Sequence, residues 1–126
     1  MTKAPHNVLV VEDEFASLEV LALLLTGEGF RVVTAADGVE ALERLAEMPI
    51  ALVITDYKMP RMDGSELCSR MLKSPALQRI PVIFTSATYR QDVPRAKNVV
   101  AFFSKPLLFK DVLAAVHRIL KSAPSP

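Results

Sequence analysis

The sequence predicts an α/β fold: a doubly wound, five-stranded parallel sheet in the order 2-1-3-4-5 with helices on both faces. Three observations predict it. Short apolar runs alternate with segments of helical period, and the connections between them are brief. The first, third and fourth runs are apolar almost throughout, as strands covered on both faces require. Four of the runs end in polar groups: Val8-Leu9-Val10-Val11 in Glu12-Asp13, Ala51-Leu52-Val53-Ile54-Thr55 in Asp56, Pro81-Val82-Ile83-Phe84 in Thr85-Ser86, and Val99-Val100-Ala101-Phe102-Phe103 in Ser104-Lys105. In a parallel sheet those ends share one edge.

The elements follow in order. After Glu14, apolar positions at Phe15, Leu18, Leu21, Ala22 and Leu25 form one face of a first helix, which Gly27 and Gly29 end. Arg31 to Ala35 reads as the second strand. Asp37 is placed to cap a second helix, with Glu40 as capping-box partner and Ala41, Leu42, Leu45 and Ala46 as its buried face. A turn containing Pro60, Asp63 and Gly64, packed by Met59 and Met62, leads into a third helix that turns Leu67, Cys68, Met71 and Leu72 inward. Ile80 to Phe84 and Val99 to Phe103 are the fourth and fifth strands. Between them, Pro94 disfavours helix at Val93 and cannot donate a hydrogen bond, so a shortened or irregular helix is expected over 88–98. The last helix follows Pro106 with Phe109, Val112, Leu113, Val116, Ile119 and Leu120. Residues 1–126 read as one domain with a core over about 7–121 and a flexible tail at 122–126.

Composition narrows the function. With 15 basic and 14 acidic residues the formal net charge is +1, so neither nucleic acid nor an anionic membrane is expected as a direct partner. The single cysteine, Cys68, excludes an internal disulfide and a cysteine-rich zinc site, and reads as an inert buried thiol. No apolar stretch approaches the roughly 20 residues that span a bilayer. The first residues lack the apolar segment of a signal peptide. A cytoplasmic location is the expectation.

At the shared edge, Glu12, Asp13 and Asp56 would lie within a few ångströms of one another, with Lys105 near. Like charges that close require a cation or a proton. Oxygen-only donors suit Mg²⁺, and one such ion with Lys105 balances three carboxylates. Metal and lysine together would neutralise charge on phosphoryl oxygens, with Asp56 as the nucleophile and a hydroxyl of Thr85 or Ser86 as hydrogen-bond partner. Taken singly, each residue has a plainer role. Asp56 would be a turn former, Glu12-Asp13 a cap for the first helix, Lys105 a solvated lysine, and Phe102 a core aromatic. The shared edge argues against those roles together.

Glu12-Asp13 after the first strand, Asp56 in the run TDYKMPRMDG, Ser86-Ala87 after the fourth strand and Lys105-Pro106 after the fifth resemble a response-regulator receiver domain of two-component signalling, over Asn7 to about Lys121. The resemblance implies the flavodoxin-like fold and a series of roles. Asp56 accepts a phosphoryl group from a histidine kinase or histidine phosphotransfer protein. Asp13 and Asp56 bind Mg²⁺ with the main-chain carbonyl of Lys58, and Glu12 acts mainly through water. Ser86 bonds the phosphoryl group and Lys105 pairs with it. Phe102 is the aromatic whose rotamer reports phosphorylation, Lys58 and Thr88 tune the lifetime of the acyl phosphate, and the bond before Pro106 is cis.

The output expected is control of a downstream target protein by contact. Self-association through the last helix is a further expectation, since Leu108, Leu113 and Leu120 fall on more than one face. The chain is expected not to be an enzyme beyond its own phosphorylation and dephosphorylation. Two alternatives differ in class. A degenerate receiver would bind partners without phosphorylation, although the intact acids, hydroxyl and lysine argue otherwise. A phosphatase of the haloacid-dehalogenase type would want a second Asp two residues after the nucleophile, where this chain has Lys58.

Overall fold

Five strands, β1 (Asn7–Val11), β2 (Arg31–Ala35), β3 (Leu52–Asp56), β4 (Val82–Ser86) and β5 (Val99–Ser104), form one parallel sheet in the order β2-β1-β3-β4-β5. The computed structural model describes residues 6–87 and 96–122, the last by its backbone alone. Among the described residues, four helices pack on it: α1 (Phe15–Gly27), α2 (Gly38–Glu47), α3 (Gly64–Leu72) and α4 (Phe109–Ser122). The doubly wound order is the one the alternation of runs predicts. Of the irregular segment expected over 88–98, residues 88–95 lie outside the described residues, as do 123–126 of the tail.

Strand alternation sorts the core into two layers. Leu9, Val11, Val53, Val82 and Phe84 point to the face covered by Ala41 and Leu45 of α2 and Leu67, Cys68 and Met71 of α3. Val8, Val10, Leu52, Ile54 and Ile83 point to the other face, under Leu25 of α1 and Val112, Ala115, Val116 and Leu120 of α4. Of the three interior strands, β3 and β4 are buried at every position. Cys68 is fully buried, and burial, with the charge of Asp63 adding to it, pushes its thiol up to about 12. Among the described residues no helix is long and apolar enough to cross a membrane.

Several boundaries and faces differ from expectation. β4 starts at Val82 rather than Ile80, because Ile80 N–H turns back to the Leu77 carbonyl and pairing begins with Val82 N–H on the Asn98 carbonyl. It runs on through Thr85 and Ser86, which pair in register with Phe103 and Ser104 of β5. Phe15 is 68% exposed: it lies about a quarter-turn from Leu25 around the helix axis, in the first turn of α1. Ala46 is exposed for a similar reason, standing about 100° past Leu45 on α2. The apolar residues of α4 that suggested an outward surface are mostly inward, with Leu120 buried and Leu113 half-buried. Among the described residues, the exposed large apolar side chains are instead Phe15, Val20, Leu23 and Leu24 on α1, Val100 on β5 and Leu108 ahead of α4.

Candidate functional site

The site is built from strand ends. Glu12 follows β1 and is tied down by its own N–H, which donates to the Ala35 carbonyl at 3.1 Å. The cap of α1 is neither Glu12 nor Asp13 but Glu14, whose carboxylate accepts from Ser17 N–H at 2.7 Å and Ala16 N–H at 3.2 Å. The Ser17 hydroxyl, followed by these N–H bonds, holds the Glu14 carboxyl below its ordinary range. With the helix N-terminus served by Glu14, Glu12 and Asp13 face Asp56 at the end of β3. One carboxylate oxygen from each of the three lies within 4.8 Å of the others.

Lys105 enters from the end of β5. Its N–H donates to the Ser86 carbonyl at 2.8 Å, and the Lys105–Pro106 bond is cis, as the resemblance implies. The ammonium donates to Glu12 Oε1 at 2.6 Å and to Asp56 Oδ2 at 2.9 Å. Burial would lower the Lys105 pKa, but hydrogen bonds to these two acids outweigh it and hold the pKa above its ordinary value. Glu12 responds in the opposite sense for an acid. Burial pushes its carboxyl up to about 7, the Lys105 hydrogen bond pulls against that, and the nearby Asp56 adds to it. Glu12 and Asp56 are both buried while Asp13 is exposed, so the cluster is open to solvent on the Asp13 side.

This arrangement fits a hard cation. The donors are carboxylate oxygens, the set Mg²⁺ prefers. Among the described residues, buried Glu12 Oε2 has no hydrogen-bond partner, an omission that a bound cation or its water shell would correct. Asp13, Asp56 and the carbonyl of Lys58 would hold the ion, with Glu12 reaching it through water. Lys58 sits exposed, two residues beyond Asp56.

The other expected residues fall around this centre. Thr85 is the register partner of Asp56, and its carbonyl accepts Tyr57 N–H at 2.9 Å. Ser86 closes β4 one residue further along and is buried. Phe102 is half-buried in β5, against the core layer under α2 and α3. Thr88 lies outside the described residues. A cavity of about 660 Å³ between α1 and α4 borders Glu12 and Lys105, with Val10, Ile54, Leu21 and Val112 in its walls. Behind the acceptor, Gly64 N–H donates to the Tyr57 carbonyl at 2.8 Å, and a Cβ at Gly64 would stand 2.6 Å from the Asp56 carbonyl. Only glycine lets α3 start this close to β3.

One participant at the edge was not legible in the sequence. Arg61 Nε donates to Asp37 Oδ2 at 2.7 Å, joining the loop after β3 to the N-cap of α2. Asp37 itself was expected to cap, and does so by accepting Glu40 N–H at 2.9 Å while Glu40 accepts Ala36 N–H at 3.1 Å. The only available signal was the position of Arg61 between Pro60 and Met62, which marks a turn but names no partner.

A family profile described as the response regulator receiver domain matches residues 8–117. The chain belongs to that family. The receiver is similar to the two-component response regulator ORR11 of Oryza sativa subsp. indica, 35% identical over 124 residues that cover 93% of this chain and 82% of that protein. Among solved structures, it is similar to the receiver domain of a signal transduction histidine kinase from Syntrophus aciditrophicus, at 31% identity and TM-score 0.86 over 96% of this chain and 94% of the other. The receiver domain of a Pseudomonas aeruginosa sensor histidine kinase, solved with magnesium coordinated in its active-site cleft, shares the fold at TM-score 0.84 and 21% identity, over 94% of this chain and 100% of that one. Receiver domains act in two-component systems, interact with histidine kinases and downstream effectors, and generally bind Mg²⁺.

Proposed function

We propose that Asp56 of this receiver accepts a phosphoryl group from the phosphohistidine of a histidine kinase or phosphotransfer protein, and that the resulting change controls a partner protein. A single observation carries the reading: Lys105 bridges Glu12 and Asp56 at 2.6 and 2.9 Å inside a trio of acids at one strand edge. A buried carboxylate cluster with too little positive charge is unfavourable on its own and suited to a cation and an anion that arrive together.

In the reaction, a carboxylate oxygen of Asp56 attacks phosphorus in line with the departing imidazole. The P–N bond breaks, an aspartyl phosphate forms, and the imidazole leaves. Lys105 moves its ammonium from the acids to the phosphoryl oxygens, and the Ser86 hydroxyl donates to another of them. Asp13, Asp56 and the Lys58 carbonyl would hold Mg²⁺, with Glu12 acting through water; when bound, the ion would neutralise charge on the phosphoryl group. Phe102 transmits the modified state, biasing an equilibrium the domain already samples, while Lys58 and Thr88 tune how long that state lasts. Magnesium in the cleft of the Pseudomonas receiver supports the assignment of the metal.

The test is an intact-mass measurement after incubation with Mg²⁺ and a small phospho-donor. The unmodified chain should gain one phosphoryl group and Asp56→Asn none. No adduct on the unmodified chain with a competent donor sinks the reading, and an adduct that survives Asp56→Asn moves the site. Turnover of small phosphate esters in excess of the protein would point to a phosphatase instead.

A further inference from the structure

The loop that carries the Lys58 carbonyl is pinned at both ends and exposed between. Tyr57 N–H is held by the Thr85 carbonyl at 2.9 Å, and Gly64 N–H returns to Tyr57 at 2.8 Å. Lys58, Pro60 and Arg61 project into solvent, and the chain reverses at Arg61 with Met62 N–H donating to the Pro60 carbonyl at 2.7 Å. Arg61 makes that reversal with φ at 64°, the left-handed region that crowds the Cβ of any residue other than glycine. A branchless residue would make this turn more easily, so the arginine needs another reason to be there.

The reason is at α2. Arg61 Nε lies 2.7 Å from Asp37 Oδ2, and its second nitrogen is 3.9 Å from Glu40. Beside this pair, Gly38 N–H donates to the Met62 carbonyl at 3.0 Å. A Cβ at Gly38 would meet Met62 Cγ and its carbonyl oxygen at 2.7 Å, so the loop rests directly on the helix backbone. Burial would raise the Asp37 pKa, yet the Arg61 hydrogen bond and Glu40 N–H hold it below its ordinary value. The pair is therefore ionised at neutral pH.

We propose that Arg61 is a positioning residue for the cation site: its bond to Asp37 docks the β3–α3 loop on α2 and thereby sets where the Lys58 carbonyl stands relative to Asp13 and Asp56. This rests on the metal assignment proposed above. A main-chain ligand has no side chain of its own to adjust it, so its placement depends on whatever holds the loop. Mg²⁺ tolerates little departure from octahedral geometry, so a small drift of that carbonyl is felt in affinity.

The experiment measures the Mg²⁺ dissociation constant by calorimetry, and the urea midpoint in chelator, for the unmodified chain, Arg61→Gly, Arg61→Lys and Asp37→Asn, with Asp56→Asn as control. Glycine suits the left-handed turn and asparagine still caps α2, so both variants fold and differ from the parent chiefly in lacking the bond. Both should lose about tenfold in Mg²⁺ affinity, the lower range for residues that orient metal ligands, with little change in the metal-free midpoint. Arg61→Lys should recover part of the loss. Affinities within about twofold of the parent in both variants overturn the proposal, as does a loss confined to Arg61→Gly, which would trace to loop freedom rather than to the pair. If the parent itself binds Mg²⁺ no better than Asp56→Asn, the metal assignment fails and the proposal with it.

Discussion

Two cations at the same edge of the sheet each face two carboxylates, and the carboxylates respond in opposite directions. Arg61 has Asp37 at 2.7 Å and Glu40 at 3.9 Å, and the Asp37 carboxyl is held below its ordinary range. Lys105 has Glu12 at 2.6 Å and Asp56 at 2.9 Å, yet the Glu12 carboxyl is pushed up to about 7. Distance does not explain the difference, because the lysine is as close as the arginine. Completeness does. Asp37 has a guanidinium on one oxygen and Glu40 N–H on the other. Glu12 is buried, shares its one ammonium with Asp56, and has an oxygen without a partner. The first cluster is a joint that is finished when the chain folds. The second is short of positive charge until something binds.

The largest effect comes from making the unfinished cluster poorer still. Lys105→Met keeps the length of the side chain and removes the charge that would follow the phosphoryl group. The rate of phosphorylation of Asp56 by a small donor, followed by intact mass, should fall about 100-fold or more, roughly 2.7 kcal/mol of lost transition-state stabilisation. Circular dichroism should show the fold retained. A rate within a few-fold of the parent would mean that Lys105 is only a counter-ion for Glu12 and Asp56, equivalent in kind to Arg61.

That difference between the clusters also marks what could be read in advance. The acids were legible because they stand where each apolar run gives out, and β1 and β3 end within a residue of where the pattern puts them. Lys105 was legible from Pro106 and the run before it. The joint was not. Asp37 and Arg61 are 24 residues apart, and their meeting depends on a left-handed turn at Arg61 that no residue-type preference announces. Phe15 and Ala46 differ for a plainer reason: each stands about a quarter-turn off the buried line of its helix, Phe15 from Leu25 and Ala46 from Leu45. Thr85 and Ser86 read from the sequence as groups just past a strand and are instead its last two paired residues, because polarity at a sheet end does not itself stop the ladder.

A second way to sharpen the comparison is pH. The Glu12 carboxyl stands near 7 in the folded chain against an ordinary value of 4.5. Below 4.5 both folded and unfolded chains hold the proton. Between 4.5 and 7 the folded chain keeps a proton that the unfolded chain gives up, so the stabilisation is lost as pH rises through this window. The loss should be on the order of 2 kcal/mol by pH 8. Urea midpoints in chelator at pH 5 and pH 8 measure it, with Glu12→Gln as reference. The glutamine variant should show a shallower dependence, and saturating Mg²⁺ should flatten the parent as well by favouring the ionised carboxylate. An equal dependence in Glu12→Gln would assign the strain to another group.

The smallest effect belongs to the finished cluster, and it separates the two duties of Asp37. As N-cap, Asp37 accepts Glu40 N–H at 2.9 Å, and Asp37→Ala should cost about 1 kcal/mol in the metal-free urea midpoint. Asparagine caps as well as aspartate, so Asp37→Asn should return most of that stability while leaving Arg61 without its ionised partner. The pair with solvent-exposed Arg61 adds little to folding, because water and salt screen it. Stability and metal affinity should therefore part company at this one position: Asp37→Asn near the parent in urea, yet weak for Mg²⁺. If Asp37→Asn is instead as unstable as Asp37→Ala, the charge rather than the cap holds α2, and the contrast between a finished structural joint and an unfinished binding site loses its footing.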